Sequence, residues 1–209
     1  MKVIKLVILL VTFGVSELMF GQIGLSFSSG VNYSNCKFEK FGAVSPKGRV
    51  GYFFGITPNY QLSKRIQFQV DFQYSLKGYE AGTESISTYS KFSYGYLDII
   101  PEVEFRVQNY LALGVGVNYG IKVKEQIKIG NGDWSEPIVE TINPTDFGLT
   151  CKLKANYKNL FGFVRYNMGV KNVTKIVFTN ESGQIIEGAE QLNRNLQIGI
   201  GYNLDFKKK

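Results

Sequence analysis

The stretch RIQFQVDFQYSLKGY, from Arg65 to Tyr79, restricts the fold of this chain more than any other feature. Apolar and polar residues alternate in it without a break from Ile66 to Lys77. A period of two indicates a β-strand, because successive side chains of a strand point to opposite faces of a sheet. The stretch therefore predicts a strand with one apolar and one polar face. What each face contacts decides the class of protein.

Similar alternation recurs along the chain, and no segment shows a sustained helical period. We therefore predict an all-β domain with eight strands, at residues 22–33, 48–62, 65–79, 92–107, 110–124, 145–157, 160–170 and 193–206. The connections between these strands alternate in length. Two-residue turns are predicted at 63–64, 108–109 and 158–159, and long polar loops at 34–47, 80–91, 125–144 and 171–192.

This arrangement is typical of an eight-stranded antiparallel up-and-down transmembrane β-barrel, with short periplasmic turns and long outer loops. The strand at 110–124 places bulky residues such as Leu113 and Val115 on one face and small or polar residues such as Gly114 and Gly116 on the other. Bulky residues facing lipid and small or polar residues facing the lumen are the inverted pattern of a membrane barrel. Aromatic residues lie on the apolar rows, many of them toward strand ends, as expected at a lipid–water boundary: Tyr33, Tyr52, Tyr60, Tyr74, Tyr119, Tyr157, Tyr166, Tyr202 and Phe206.

The first 21 residues are predicted to be a secretory signal peptide, and residues 22–209 the outer-membrane barrel domain. Lys2 and Lys5 precede an apolar run from Leu6 to Val15, which is too short to span a bilayer. Cleavage is expected between Gly21 and Gln22. Two cysteines in an exported chain allow a disulfide, but Cys151 within a strand and Cys36 in or near a loop favour unpaired thiols.

The inward rows carry charged residues that would be buried in so small a barrel. By the same alternation, Arg65, Lys124, Asp146, Lys154 and Asp205 face inward, together with a predicted lumen charge network of Arg49, Asp71, Lys77, Asp98, Glu102, Glu104, Arg106, Lys122, Lys152 and Arg165. Buried charges must be paired. The favoured interpretation is a structural ion-pair plug; the alternative is an ion or proton pathway or a catalytic carboxylate pair. The inward glycines are expected to make room for long Arg and Lys side chains.

The long loops contain one residue of special interest, Trp134, which is the only tryptophan. It lies within GNGDWSEP, residues 130–137, whose composition is typical of turns and lacks the spaced ligands of a calcium loop. Two interpretations are open for this side chain. It contacts a partner or the membrane interface, or it packs within its own loop.

Several function classes are poorly supported. The chain has no histidine, which excludes histidine-based catalytic triads and histidine metal sites, and no serine lies in a nucleophile elbow. We expect no enzyme activity, no cofactor and no metal. The formal net charge of +7 comes from scattered residues and not from a basic helix, so nucleic acid is not an expected partner.

The run GYFFGITPNYQLSKRIQFQVDFQYSLKGY resembles the PorT-like outer-membrane β-barrel family of Bacteroidota-type bacteria. Further similar segments are YLDIIPEVEF, DFGL, GFVRYNMGVKNV and LQIGIGYNLDF, which together cover nearly all of the chain after the signal peptide. One departure is the tail KKK after Phe206, where such barrels often end on the aromatic residue. The resemblance implies an outer-membrane barrel and a link to type IX secretion and gliding.

The favoured function is a structural or loop-mediated interaction role in the outer membrane, without catalysis. The alternative at the same location is an accessory component of type IX secretion, and the alternative of another class is a soluble exported lipocalin-like carrier. Expected partners are the outer-membrane lipid, the barrel insertion machinery, and other envelope or secretion proteins.

Overall fold

The computed structural model describes residues 23–40, 46–81, 90–177, 179 and 183–205. The predicted signal peptide and the lysine tail lie outside these residues. The described residues form eight strands: β1 (Ile23–Glu39), β2 (Lys47–Gln61), β3 (Ile66–Ala81), β4 (Ser90–Gln108), β5 (Leu111–Ile129), β6 (Thr145–Tyr157), β7 (Leu160–Gly169) and β8 (Glu190–Asp205). No helix in this part of the chain is long and apolar enough to cross a membrane.

The strands close into a ring in chain order, and all neighbours are antiparallel. Closure is made by β1, which pairs with β2 on one side and with β8 on the other, from Gly24 opposite Asp205 to Glu39 opposite Glu190. A closed ring leaves no strand edge unpaired, which is what a sheet needs in lipid, where water cannot satisfy backbone groups. The predicted eight-stranded up-and-down barrel is confirmed.

The two faces of the ring differ as the alternation predicts. Large apolar side chains on the outward rows, such as Phe54, Val115 and Ile200, are exposed on the isolated barrel and form its lipid face. Inward residues are buried, and many of them are polar or charged. Both cysteines are free, with Cys151 on the outward face of β6 and Cys36 buried.

The strand ends depart from the prediction mainly at the outer side. β1 continues to Glu39 and not to residue 33, and β5 continues to Ile129 and not to residue 124. These polar extensions remain strands because neighbouring strands extend equally far and pair with them, as Cys36 does with Asn193. At the inner side, the turn between β2 and β3 spans residues 62–65, wider than predicted, while the other two turns have the predicted length.

Inward glycines make room for different groups in different places. A Cβ at Gly114 would lie 3.3 Å from Lys152 Cε, which agrees with the prediction that glycines accommodate long cations. A Cβ at Gly199 would lie 2.6 Å from the ring of Phe53 and 2.8 Å from that of Phe163. The prediction is therefore wrong for Gly199, because inward aromatic rings occupy that part of the lumen.

Candidate functional site

The inner half of the lumen, nearest the short turns, contains a buried ion-pair network centred on Arg165 of β7. Its Nε and Nη2 donate to the two oxygens of Glu102, each at 3.0 Å, and its Nη1 donates to Asp71 Oδ2 at 2.9 Å. Glu102 lies on β4 and Asp71 on β3, so the guanidinium spans the lumen. Two parallel charge-assisted hydrogen bonds from one guanidinium to one carboxylate, as between Arg165 and Glu102, are among the strong hydrogen bonds of proteins.

Two lysines of β6 complete this network. Lys152 Nζ lies 2.6 Å from Glu102 Oε2 and 3.4 Å from Glu104 Oε2, and Lys154 Nζ lies 3.1 Å from Glu104 Oε1. We refer to the resulting set of three cations and three carboxylates as the inner network: Arg165, Lys152, Lys154, Asp71, Glu102 and Glu104. Its formal charges cancel, which is the condition for keeping ions in a dry interior.

Neutral side chains complete the hydrogen bonding of the inner network: Thr57, Gln69 and Thr150 donate to its carboxylates, and Gln73 and Gln197 accept from Arg165. The distances are 2.8 to 3.3 Å. Below Arg165, the rings of Phe53, Phe161 and Phe163 form a small apolar cluster. A cavity of about 10 Å³ lies beside these groups, with room for about one water molecule.

A second ion pair lies farther toward the outer side. Lys77 Nζ is 2.9 Å from Asp98 Oδ1, and both side chains are buried. Gln73 Nε2 donates to the other carboxylate oxygen at 3.3 Å, and Ser75 also donates to it. The lysine lies 4.7 Å from the centre of the Tyr96 ring, a distance at which a cation is attracted to the aromatic face.

The structure places three residues of the predicted charge network away from these two groups. Arg106 is exposed at the inner rim, with its Nη2 at 3.5 Å from Gln61 Oε1, because β4 ends two residues later. Arg49 lies at the outer end, where it donates to the Phe92 carbonyl at 3.3 Å. Lys122 binds Glu125, and its Nζ also donates to a loop carbonyl.

Trp134 lies at the outer side, where Arg49 Cζ is 4.8 Å from the centre of its ring. The residue is 37% exposed. The structure thus gives this side chain a packing contact with the barrel end and also leaves part of its surface accessible.

Two long loops close the outer mouth of the barrel. Ile142, from the loop after β5, and Val173, from the loop after β7, are fully buried against inward side chains of the strands. We define the outer lid as this cluster: Cys36, Tyr79, Tyr94, Tyr96, Ile142 and Val173. The two loops hold each other through backbone bonds, with Asn143 N donating to Val173 O at 2.6 Å and Lys175 N to Thr141 O at 2.9 Å.

Beyond the lid, the same two loops form a ribbon with exposed apolar residues. Ile142 pairs with Thr174 in an antiparallel bridge, and Val139 and Val177 each lie three residues from this bridge along their own loop. These two valines are 76% and 63% exposed, and Ile138 is fully exposed. Lys175 binds Glu140 within the ribbon, and this bond, with the charge of Lys122, holds the pKa of the Glu140 carboxyl below its usual range.

No group of three or more Cys, Asp or Glu side chains suited to a metal ion occurs in the described ranges of the chain. The sequence predicted most members of the inner network from strand parity alone. It missed the outer lid, because Ile142 and Val173 lie in segments whose composition is polar, and only their pairing across the mouth buries them.

The outer membrane protein beta-barrel domain family matches residues 17–175. The chain belongs to this family. A search of curated proteins found no significant match. Among solved structures, the barrel is similar to the outer membrane protein OprG of Pseudomonas aeruginosa, with a TM-score of 0.50 and 12% identity over 89% of this chain and 98% of OprG.

Two further solved structures are similar at lower TM-scores. Ail, the attachment invasion locus protein of Yersinia pestis, has a TM-score of 0.48 and 15% identity over 88% of this chain and 99% of Ail. Neisserial surface protein A has a TM-score of 0.43 and 12% identity over 87% of this chain and 96% of that protein. Family membership and the lipid face together assign the barrel to the outer membrane. This location excludes the soluble lipocalin-like carrier.

Proposed function

We propose that this outer-membrane barrel is a closed scaffold without catalysis and acts through its outer loops. Residues 1–21 would direct its export as a signal peptide, and the barrel insertion machinery would place it in the membrane. The observation that carries the proposal is the contrast between a lumen filled with paired charges and a ribbon of exposed aliphatic side chains above it.

A plug role for the inner network is supported by its balanced charge and by the small volume of the cavity beside it. Six charged groups cross-link β3, β4, β6 and β7 through the lumen, and the cavity beside them has a volume of about 10 Å³. The outer lid adds an apolar barrier at the other end. A hydrated ion could cross the barrel only by disrupting both the inner network and the outer lid.

Planar-bilayer recording tests the plug. The purified protein, inserted in a lipid bilayer, should give no large and stable conductance. The matched variant Glu104→Ala with Lys154→Ala removes the Lys154–Glu104 ion pair and the longer contact of Glu104 with Lys152, and it keeps the net charge. It should raise conductance by enlarging the inner mouth. Reproducible channels of porin size in the unmodified protein would contradict the plug.

A contact role for the outer ribbon is supported by its exposed aliphatic residues. Ile138, Val139 and Val177 are exposed to water, whereas Ile142 of the same loop as Ile138 and Val139 is buried in the lid. Exposed apolar patches on a soluble surface mark sites of association with other molecules. The partly exposed Trp134 is an aromatic side chain of the kind enriched in binding hot spots.

Site-specific photo-crosslinking in living cells tests the side on which partners bind. A photoreactive residue at Val139 should yield high-mass adducts, whereas one at Asn159, in a periplasmic turn, should yield none after the barrel has been assembled. Adducts from Asn159 alone would favour the secretion alternative. A photoreactive residue at Ile142, buried in the lid, is the control for reaction within the barrel itself.

The second candidate function is an accessory role in type IX secretion, and its support is the resemblance to PorT-like barrels. Machinery in the periplasm would meet the short turns, such as 158–159, and the lysine tail. Two-residue turns offer little surface for a stable interface. Deleting residues 207–209 should leave both barrel assembly and cargo export intact if the loops carry function, and it should stop export of type IX cargo if the secretion role is correct.

A further inference from the structure

An ion pair near the outer end of β5 holds one of the two loops that form the outer lid. It joins Lys122 and Glu125, whose side chains are each 6% exposed. Glu125 Oε1 accepts a hydrogen bond from Thr141 N at 2.8 Å, and Lys122 Nζ donates to Ile142 O at 3.0 Å. We call Lys122 and Glu125 the clasp, and residues 140–144 the strap. The clasp thus binds the backbone of the strap at the residue that closes the mouth.

A β-bulge in β5 brings the two charges of the clasp together. Residues three apart on a regular strand face opposite sides of the sheet. In β5, however, Lys122 lies opposite Tyr96 and Lys124 lies opposite Gly95, so β5 has one extra residue at this point. The extra residue turns Glu125 to the same side as Lys122, where the ion pair forms. Bulges of this kind re-aim side chains at barrel rims and at functional sites.

The two lid loops are fastened by different kinds of contact. Toward β5, the strap meets charged side chains, and Glu140 Oε1 also lies 3.5 Å from Lys122 Nζ. Toward the second loop, the strap is held by neutral backbone bonds, such as the one from Asn143 N to Val173 O at 2.6 Å. The second loop is itself bonded to β8, where Val173 N donates to Gln191 O at 3.0 Å. The β5 side of the lid therefore depends on charge, and the β8 side does not.

A buried ion pair makes the closed lid sensitive to the loss of one charge. Water hydrates both charges when the lid opens, and this hydration offsets much of the attraction that is lost. Two well-packed apolar residues would hold the strap at least as firmly. Removal of one charge has a much larger effect, because the other charge would then remain buried without its partner in the closed state.

We propose that Lys122 and Glu125 form a releasable clasp that controls the opening of the outer mouth. In the closed state the clasp holds the strap, and Ile142 seals the lumen. When the clasp is released, the strap separates from β5 and from the second loop, and the inward residues beneath it become accessible from the outer side. The inner network keeps the other end closed, so the barrel opens on one side only. This device does not depend on any partner of the outer ribbon.

The buried thiol of Cys36 reports on this opening, because it lies in the same cluster as Ile142. The full barrel is refolded in detergent with Cys151→Ala, which leaves Cys36 as the only thiol of the chain. The rate at which a bulky charged maleimide modifies Cys36 is then measured. Glu125→Gln keeps the shape of the side chain and removes its charge. It should raise this rate at least about tenfold, since it leaves Lys122 without its partner.

Two matched variants separate the clasp from a general effect of charge. Glu136→Gln makes the same chemical change at an exposed residue of the loop after β5, and it should leave the rate unchanged. Lys122→Met combined with Glu125→Gln removes both charges. It should return the rate to within about threefold of that of the unmodified barrel, because no unpaired charge remains. An unchanged rate in Glu125→Gln would overturn the proposal, as would a double variant that reacts as fast as Glu125→Gln.

If Glu125→Gln does not assemble, hydrogen exchange of the unmodified barrel provides the second measurement. The amides of Thr141, Asn143 and Lys175 each donate to a bond that breaks when the strap separates. Their protection factors should agree within about threefold, as expected for amides of one cooperative unit, and should be lower than that of Arg165. Larger differences among the three amides would overturn the proposal, because the strap would then not move as a unit.

Discussion

In the inner half of the lumen, every charged side chain of the inner network has an oppositely charged partner within 3.1 Å. In the outer half, Asn118, Asn167 and Asn195 have buried amide atoms without partners in the described chain. Both halves lie on the same strands and follow the same inward parity. The difference shows that alternation fixes which residues enter the lumen but not whether they satisfy one another.

The two halves also differ in how they are closed. The inner end is filled by side chains of the strands themselves, including the ring cluster around Phe163. The outer end is closed by Ile142 and Val173, which belong to loops. A fully satisfied section built on strands should be rigid, whereas a section closed by loops can open locally without unfolding the barrel.

The largest expected effect comes from breaking the inner network. Arg165→Leu leaves Glu102 with Lys152 and leaves Asp71 without its cation, and it should lower the free energy of unfolding by about 3 to 5 kcal/mol, the typical effect of removing one partner of a buried ion pair. Urea unfolding of the barrel in lipid vesicles measures this loss.

Asn167→Leu is the matched variant in the outer half, two residues farther along the same row. It should cost no more than about 1 kcal/mol, since it removes an amide whose oxygen has no partner among the described residues. Equal losses for Arg165→Leu and Asn167→Leu would show that the two halves do not differ in the way the contacts indicate.

The next effect concerns the lid. Ile142→Ala should favour local opening of the outer mouth by about 2 to 3 kcal/mol, because it removes most of a fully buried side chain from the cluster. Hydrogen exchange should accelerate at the amides of Asn143 and Val173 and stay unchanged at Arg165. Ile138→Ala, at a fully exposed position, is the control and should leave all three rates as they are.

A smaller effect is expected at the inner rim. Lys158 has a φ of 53°, a left-handed conformation that disfavours side chains with a Cβ, so Lys158→Gly should stabilise the barrel by up to about 1 kcal/mol. Asn109→Gly, in the other two-residue turn, should not, since Asn109 has no positive φ. A gain at both turns would show that relief of the positive φ is not the cause, since glycine otherwise lowers stability through the unfolded chain. The measurement is again urea unfolding.

The smallest effect is the pH response of the outer ribbon. The folded pKa of Glu140 is lowered by its bond to Lys175, so the resulting stability is fully present above the unfolded value of about 4.3 and is lost as the pH falls through the folded pKa. The hydrogen-exchange rate of the Lys175 backbone amide, divided by the intrinsic rate of an unprotected amide at the same pH, should therefore increase below about pH 4. Lys175→Gln should remove most of this dependence; a dependence unchanged in this variant would assign it to another group.

Much of the fold follows from the sequence because alternation is a local property. The faces of β3 and β5, for example, can be assigned from the identity of successive residues, and most of the inner network follows from parity. Which inward groups meet across the lumen depends on the register and shear of the whole ring. The sequence therefore predicted that Arg165 is paired but could not identify Glu102 and Asp71 as its partners.

The departures from prediction have the same physical origin. Ile142 was assigned to a polar loop because its burial depends on a pairing with Thr174, which lies 32 residues away. Arg106 was included in the charge network because parity places it on the inward row, but its position at the end of β4 lets the side chain reach water. Parity indicates the direction of a side chain and not its depth.

The seam between β1 and β8 has a consequence for the order of assembly. It joins the two strands that are farthest apart in the sequence, through pairs that run from Gly24 with Asp205 to Glu39 with Glu190. The ring cannot close until β8 has been synthesised and exported, and until then β1 keeps one row of unpaired backbone groups. The partly exported chain therefore carries an open strand edge, which is a template for pairing with another chain.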